Sequence, residues 1–194
     1  LAAGCPAGRI IFSGVGKTKA EIRAALEAGV HQVNVESPAE LEMVAEVARE
    51  LGVRAPVALR VNPDVDAQTH AKITTGRKDS KFGIPFDQIP ALYASAPPEV
   101  QMVGLAVHIG SQILDLAPFR QAWSVLADLV RGLRSAGLRV DRLDLGGGLG
   151  IGAEGKAGPD LAAYAAIIAE TVGGLGLALN VEPGRWLCAR AGVM

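Results

Sequence analysis

The sequence predicts a parallel α/β fold: a (β/α)8 barrel of the TIM type, incomplete, with about six strand–helix units present. Two observations carry this. Short apolar runs rich in Val, Ile and Leu alternate with longer amphipathic stretches, as expected for strands covered on both faces and joined by crossover helices. Polar and Gly-rich residues gather after the strand ends: Ser13-Gly14, Glu36-Ser37, Asn62-Pro63-Asp64, His108 with Gly110-Ser111, Gly146 to Gly148, and Glu182 to Arg185. In a barrel these ends meet at one mouth. In an open doubly wound sheet they would be strung along an edge and could not all converge.

The elements follow in order. Strands are expected at Ile10–Phe12, Gln32–Val35, Val57–Val61, Val103–Ile109, Leu143–Leu145 and Leu177–Val181. Helices are expected over Lys19–Ala28, Ala39–Leu51, Phe86–Ser95, Pro118–Ala136 and Asp160–Leu175. Ser37-Pro38 supplies a cap followed by proline at the first helical position, and Gly29, Gly52 and Gly137 stand where helices end. A full barrel needs eight strands and about 250 residues. The chain has 194 and opens on Leu1, so two units and the N-terminus are expected to be missing. The polar stretch Thr74–Gly83 follows a strand, which puts it on the mouth side as either a substrate-selecting lid or an ordinary solvated loop.

Composition narrows the function classes. Hydrophobic residues make up 49%, enough to exclude a disordered chain, and 19 basic against 20 acidic residues leave no electrostatic footprint for nucleic acid or an anionic membrane. No stretch is long and apolar enough to span a bilayer. Cys5 and Cys188 lie far apart with no CxxC spacing, and read as reduced thiols of a cytoplasmic protein. His31, His70 and His108 are not spaced for a metal site, and no HExxH or GxSxG motif is present.

Three features bear chemistry, Gly146 to Gly148, Glu182 to Arg185 and His108, each with a plainer alternative, and two nucleotide-binding readings compete with the first. Gly146-Gly147-Gly148 follows a strand, where consecutive glycines let backbone N–H groups approach a phosphate; the alternative is a tight turn without a ligand. Gly16-Lys17-Thr18 resembles the end of a P-loop, but Ile11 stands where the earlier glycine is required. Gly148-x-Gly150-x-x-Ala153 is a loose dinucleotide fingerprint without the acidic residue that should follow. Glu182-Pro183-Gly184-Arg185 ends the last strand. A carboxylate there can hold a protonated pyridine nitrogen and an arginine can grip a phosphate or carboxylate, while the alternative is a turn with an exposed ion pair. His108 at a strand's C-terminal end is either a functional group or a hydrogen-bonded structural one.

Seven segments stand in order along the chain: Phe12 to Thr18 (FSGVGKT), Asn34 to Ser37 (NVES), Arg60 to Asp64 (RVNPD), Thr75-Gly76 with Ser80 to Gly83 (SKFG), His108 to Gln112 (HIGSQ), Gly146 to Gly148, and Glu182 to Arg185 (EPGR). Together they closely resemble the diaminopimelate decarboxylase family, within the fold-type III (alanine-racemase-like) pyridoxal phosphate enzymes, over essentially the whole chain. The resemblance implies decarboxylation of meso-2,6-diaminopimelate to L-lysine with pyridoxal 5'-phosphate as cofactor. Ornithine, arginine or carboxynorspermidine decarboxylation, or a non-catalytic pyridoxal phosphate carrier, are the alternatives.

By that resemblance, residues 1–194 are the cofactor-binding barrel domain, without the first strand units and the C-terminal β domain. His108 would stack on the ring, and Ser111 with Gly146, Gly147 and Gly148 would hold the phosphate. Glu182 would bind the ring nitrogen. Pro183, Gly184 and Arg185 would border the phosphate, with Arg185 also reaching a substrate carboxylate. The Schiff-base lysine and the catalytic cysteine are expected outside the chain, so neither Lys17 nor Cys188 is assigned those roles. The resemblance also implies a cytoplasmic homodimer acting on a small amino acid, with no metal, nucleic acid or membrane partner. Ala106 departs from the pattern, since many relatives carry a histidine there.

Overall fold

The computed structural model describes residues 2–66, 82–152, 157–189 and 191. The chain opens with a short strand, β1 (Ile11–Phe12), and α1 (Lys19–Ala28). Thr18 caps α1 reciprocally: its side chain accepts from the Glu21 N–H at 3.3 Å, and the Glu21 carboxylate accepts from the Thr18 N–H at 2.8 Å. β2 (Gln32–Val35) leads into α2 (Pro38–Leu51), started by Ser37 and Pro38 and ended by Gly52 at φ 67°. β3 (Ala55–Asn62) follows, and then a two-residue strand, β4 (Ile84–Pro85), with α3 (Ile89–Ala94). The second half holds β5 (Val100–Val107), α4 (Ala117–Ser135), β6 (Arg142–Asp144), α5 (Leu161–Thr171), β7 (Ala178–Asn180) and α6 (Gly184–Cys188).

All the strand pairings are parallel, in the order β1-β2-β3-β5-β6-β7, with β4 paired only to the end of β3. Strands that are sequential in the chain and adjacent in the sheet wind in one direction, which curls the sheet toward a barrel. β1 and β7 are not hydrogen-bonded to each other. The curl still brings their C-terminal ends together, where the Ser13 hydroxyl donates to Glu182 Oε1 at 3.0 Å. Across the interior, Asn34 Nδ2 on β2 donates to Asp144 Oδ2 on β6 at 2.7 Å, and Arg142 on β6 reaches the His31 carbonyl at 2.7 Å. The structure is thus the incomplete α/β barrel that the alternating pattern predicts.

The apolar core lies between the sheet and the helices. Phe119, Trp123, Leu126, Val130 and Leu133 recur at helical spacing on α4 and are buried. Tyr164 of α5 meets Phe119 and Trp123 edge-on, at centroid distances of 5.3 and 5.1 Å. Trp123 Nε1 also donates to the Leu145 carbonyl at 3.3 Å, which ties this aromatic cluster to the end of β6 where the glycine loop begins.

Several boundaries differ from the sequence expectation. β6 ends at Asp144, not Leu145, because the Leu145 N–H pairs with the Asn180 carbonyl as the chain turns into the glycines. β7 is shorter than Leu177–Val181, and β4 is too short to give a period. Where only a turn was expected after Glu182, α6 begins at Gly184. α3 starts at Ile89 rather than Phe86, with Pro90 in its first turn. Residues 74–81 of the polar stretch Thr74–Gly83, expected as either a lid or an ordinary loop, lie outside the described residues; of its end, Gly83 has φ 78° and packs against the backbone of β3.

Candidate functional site

The C-terminal ends of the strands enclose a cleft of about 250 Å3, whose polar lining includes Ser13, Asn34, Arg60, His108, Asp144 and Glu182. This is the end at which barrel folds place their chemistry, because the loops following every strand converge there.

The glycine loop runs beside the cleft, tied to two of its lining residues, His108 and Glu182. Gly146 and Gly148 have φ 71° and 94°, a backbone region that residues with a side chain rarely adopt. Space demands glycine too. A methyl group on Gly146 would overlap the Val107 carbonyl, one on Gly147 the Glu182 carbonyl, and one on Gly148 the Gly110 carbonyl. The loop is pinned from both sides. Gly146 N–H donates to Asp144 Oδ1 at 3.0 Å, and the Glu182 N–H donates to the Gly146 carbonyl at 2.8 Å. Ile113 N–H reaches the Gly148 carbonyl at 2.9 Å, while the Gln112 amide both donates to and accepts from Ile151. HIGSQ therefore clamps the glycine loop, a role its motif alone did not disclose.

Glu182 stands at the mouth, half-buried. Burial chiefly, and then the neighbouring Asp144 carboxylate, push its carboxyl above the usual range, while the Ser13 hydroxyl and His108 pull it back. His108 is held below its ordinary value by burial and by the Arg60 charge. Its neutral ring is in keeping with the bond that Nδ1 accepts from the Gly147 N–H at 3.3 Å. Arg60 is fixed in turn by both Glu36 oxygens, at 2.6 and 2.8 Å, and by the His108 carbonyl at 3.3 Å.

Arg185 lies on α6 at the outer rim, where Nη2 donates to the Ser111 hydroxyl at 3.1 Å. The sequence-predicted residues His108, Ser111, Gly146, Gly147, Gly148, Glu182, Pro183, Gly184 and Arg185 are thus gathered at the ends of β5, β6 and β7. Ser13, Asn34, Glu36, Arg60 and Asp144 were not assigned from sequence. Ser13, Asn34, Glu36 and Arg60 do lie within the segments FSGVGKT, NVES and RVNPD, whereas Asp144 is marked only as a polar residue in an apolar run. Lys17 is buried and its ammonium is fully engaged, by the Gly14 and Asn34 carbonyls at 2.6 and 2.7 Å and by Glu40 Oε1 at 2.6 Å. That makes it a brace between β1, β2 and α2. Among the described residues, no His, Cys, Asp and Glu group could hold a metal, and no helix is long and apolar enough to cross a membrane.

Residues 1–189 match the family described as "Pyridoxal-dependent decarboxylase, pyridoxal binding domain". The chain belongs to this family. Among curated pyridoxal-dependent decarboxylases, it is 50% identical to the diaminopimelate decarboxylase of Pseudomonas aeruginosa, over all of this chain and 47% of that protein. It is 48% identical to that of Zymomonas mobilis, over 99% of this chain and 47% of the relative. The crystal structure of diaminopimelate decarboxylase from Helicobacter pylori complexed with L-lysine superposes with a TM-score of 0.90 at 37% identity, covering 95% of this chain and 47% of that one. The chain spans about half the length of the curated relatives it matches.

The site fits a pyridoxal group carrying a phosphate. The three-glycine turn packs against the Val107, Glu182 and Gly110 carbonyls too closely for any Cβ, the bare backbone that consecutive glycines offer beside a phosphate. A half-buried carboxylate faces the same cleft within reach of a ring nitrogen's charge.

Proposed function

We propose that this chain is the barrel domain, residues 1–194, that holds pyridoxal 5'-phosphate in a decarboxylase converting meso-2,6-diaminopimelate to L-lysine and carbon dioxide. One observation supports this above the rest. The glycine turn and Glu182 are joined by the bond from the Glu182 N–H to the Gly146 carbonyl, so a phosphate cradle and a ring-nitrogen partner are fixed in one frame. The identity to curated diaminopimelate decarboxylases supports the substrate.

When bound, the cofactor's protonated ring supplies the electron sink that makes loss of carbon dioxide from an amino acid accessible. Glu182 keeps the proton on the ring nitrogen, because a carboxylate beside a pyridinium in a half-buried site favours the charged pair. The turn Gly146 to Gly148 would border the phosphate together with Ser111, Pro183, Gly184 and Arg185. His108 offers the flat face of a neutral imidazole for the ring to stack on. Arg185, exposed at the rim, also receives a substrate carboxylate by paired N–H donors. Lys17 is not assigned as the lysine that anchors the cofactor, since its three N–H donors are all engaged. By family likeness the protein is further proposed to be a cytoplasmic homodimer.

The test is release of carbon dioxide by the protein carrying this chain, supplied with pyridoxal 5'-phosphate and offered meso-diaminopimelate, ornithine, arginine or carboxynorspermidine in parallel. The proposal expects turnover of diaminopimelate above the others. Preference for another amino acid would overturn the substrate, and no turnover of any would favour a carrier.

A further inference from the structure

Asp144 is the most buried acid at the mouth, 1% exposed, yet the roles proposed above make no use of it. Its two oxygens are spent on two different structures. Oδ1 accepts the Gly146 N–H at 3.0 Å and Oδ2 accepts Asn34 Nδ2 at 2.7 Å. The same Asn34 amide donates to the Ser13 hydroxyl at 2.7 Å, and Ser13 donates on to Glu182 Oε1 at 3.0 Å. Gln32 orients Asn34 from below, its Nε2 donating to Asn34 Oδ1 at 2.7 Å. Asp144 is thereby linked to Glu182 along one path and to the first glycine of the cradle along another.

A buried carboxylate costs free energy unless it is hydrogen-bonded, and both Asp144 oxygens are so engaged. A second carboxylate beside Glu182 has an effect that no neutral brace would have. It adds negative potential where a ring cation is to sit, in a half-buried site where such potentials act strongly. We propose that Asp144 is a positioning residue for Glu182: anchored through Asn34 and Ser13, its charge adds to that of Glu182 to hold the proton on the cofactor's ring nitrogen. This rests on the assignment of Glu182 to that nitrogen. The other charged or titratable groups at the cleft are His108, whose Nδ1 accepts the Gly147 N–H, and the Glu36–Arg60 pair, whose charges largely cancel. Asp144 and Glu182 are the acidic side chains of the lining that form no ion pair with Arg or Lys among the described residues.

The probe is deoxypyridoxine phosphate, which keeps the ring and phosphate but lacks the aldehyde, so it binds without needing a lysine. Its ultraviolet absorption reports whether the ring nitrogen is protonated. The complex with the protein carrying this chain is titrated against pH for the unaltered protein, Asp144→Asn, Asp144→Glu and Glu182→Gln. Asp144→Asn is expected to lower the ring's apparent pKa by about one unit, a roughly tenfold loss in proton affinity. Asp144→Glu, which keeps the charge but disturbs the Gly146 contact, is expected to weaken probe binding while leaving the ring pKa near its original value. An unchanged ring pKa in Asp144→Asn, with affinity lost equally at every pH, would reduce Asp144 to a structural brace and overturn the inference. So would an equal fall in Asp144→Glu, should the asparagine variant not fold. Glu182→Gln separates the two claims. A ring pKa that does not move in that variant sinks the Glu182 assignment and this inference together, whereas a fall there without one in Asp144→Asn sinks only the inference.

Discussion

Asn34 Nδ2 and Asp144 Oδ2 meet at 2.7 Å across the inside of the curled sheet, joining β2 to β6 where a barrel core would ordinarily be aliphatic. The bond places a polar floor directly beneath the cleft. Everything that faces the proposed cofactor stands on it or beside it, and the expected effects of substitution follow from that arrangement.

Gly146→Ala tests the cradle. The new methyl would overlap the Val107 carbonyl at a left-handed backbone position, and neither strand can shift without breaking its ladder. The expected cost is about 2–3 kcal/mol of stability, read as a lower urea midpoint, with loss of cofactor affinity.

Glu182→Gln tests the ring-nitrogen assignment through turnover. A neutral amide no longer favours the protonated ring, so kcat is expected to fall on the order of 100-fold, with KM for the amino acid much less affected. Steady-state kinetics on the reconstituted protein give both numbers.

The glycine and proline signals made the framework legible. Gly29 and Gly52 end helices in the left-handed region, Ser37 and Pro38 start one, and α1, α2 and α4 lie within a residue or two of where periodicity puts them. The site was legible where a motif breaks the pattern, as in Gly146 to Gly148 and Glu182 to Arg185. Asn34, Arg60 and Asp144 were not, because each sits inside or at the edge of an apolar run, and a one-dimensional pattern cannot say which strand lies across the barrel. The Asn34–Asp144 contact spans 110 positions in the chain, and only the curl of the sheet creates it. α6 escaped notice because five residues are too few to show a helical period.

Lys17→Met tests the brace. Removing one partner of a buried ion pair leaves the Glu40 carboxylate without its cation, for an expected loss of about 3–5 kcal/mol. Borohydride reduction of the cofactor-loaded protein should leave the peptide containing Lys17 unmodified by mass spectrometry; a pyridoxyl adduct there would contradict its role as a brace.

Acid should expose His108. Burial and the Arg60 charge hold its folded-state value below the ordinary 6.5 or so, so the unfolded chain takes up this proton at higher pH than the folded one. The contribution of His108 to stability is therefore full above about pH 6.5 and declines as pH falls toward the folded value. Urea midpoints measured down from neutral pH should fall in this window for the unaltered protein, and less steeply for His108→Phe.

The central claim is that one cofactor is held between the glycine turn and Glu182. A crystal structure of the protein grown with pyridoxal 5'-phosphate tests it most directly. The expected density places the phosphate beside the turn Gly146 to Gly148 and the ring nitrogen within hydrogen-bond distance of Glu182. A ring bound elsewhere, or one whose nitrogen faces away from Glu182, would contradict it.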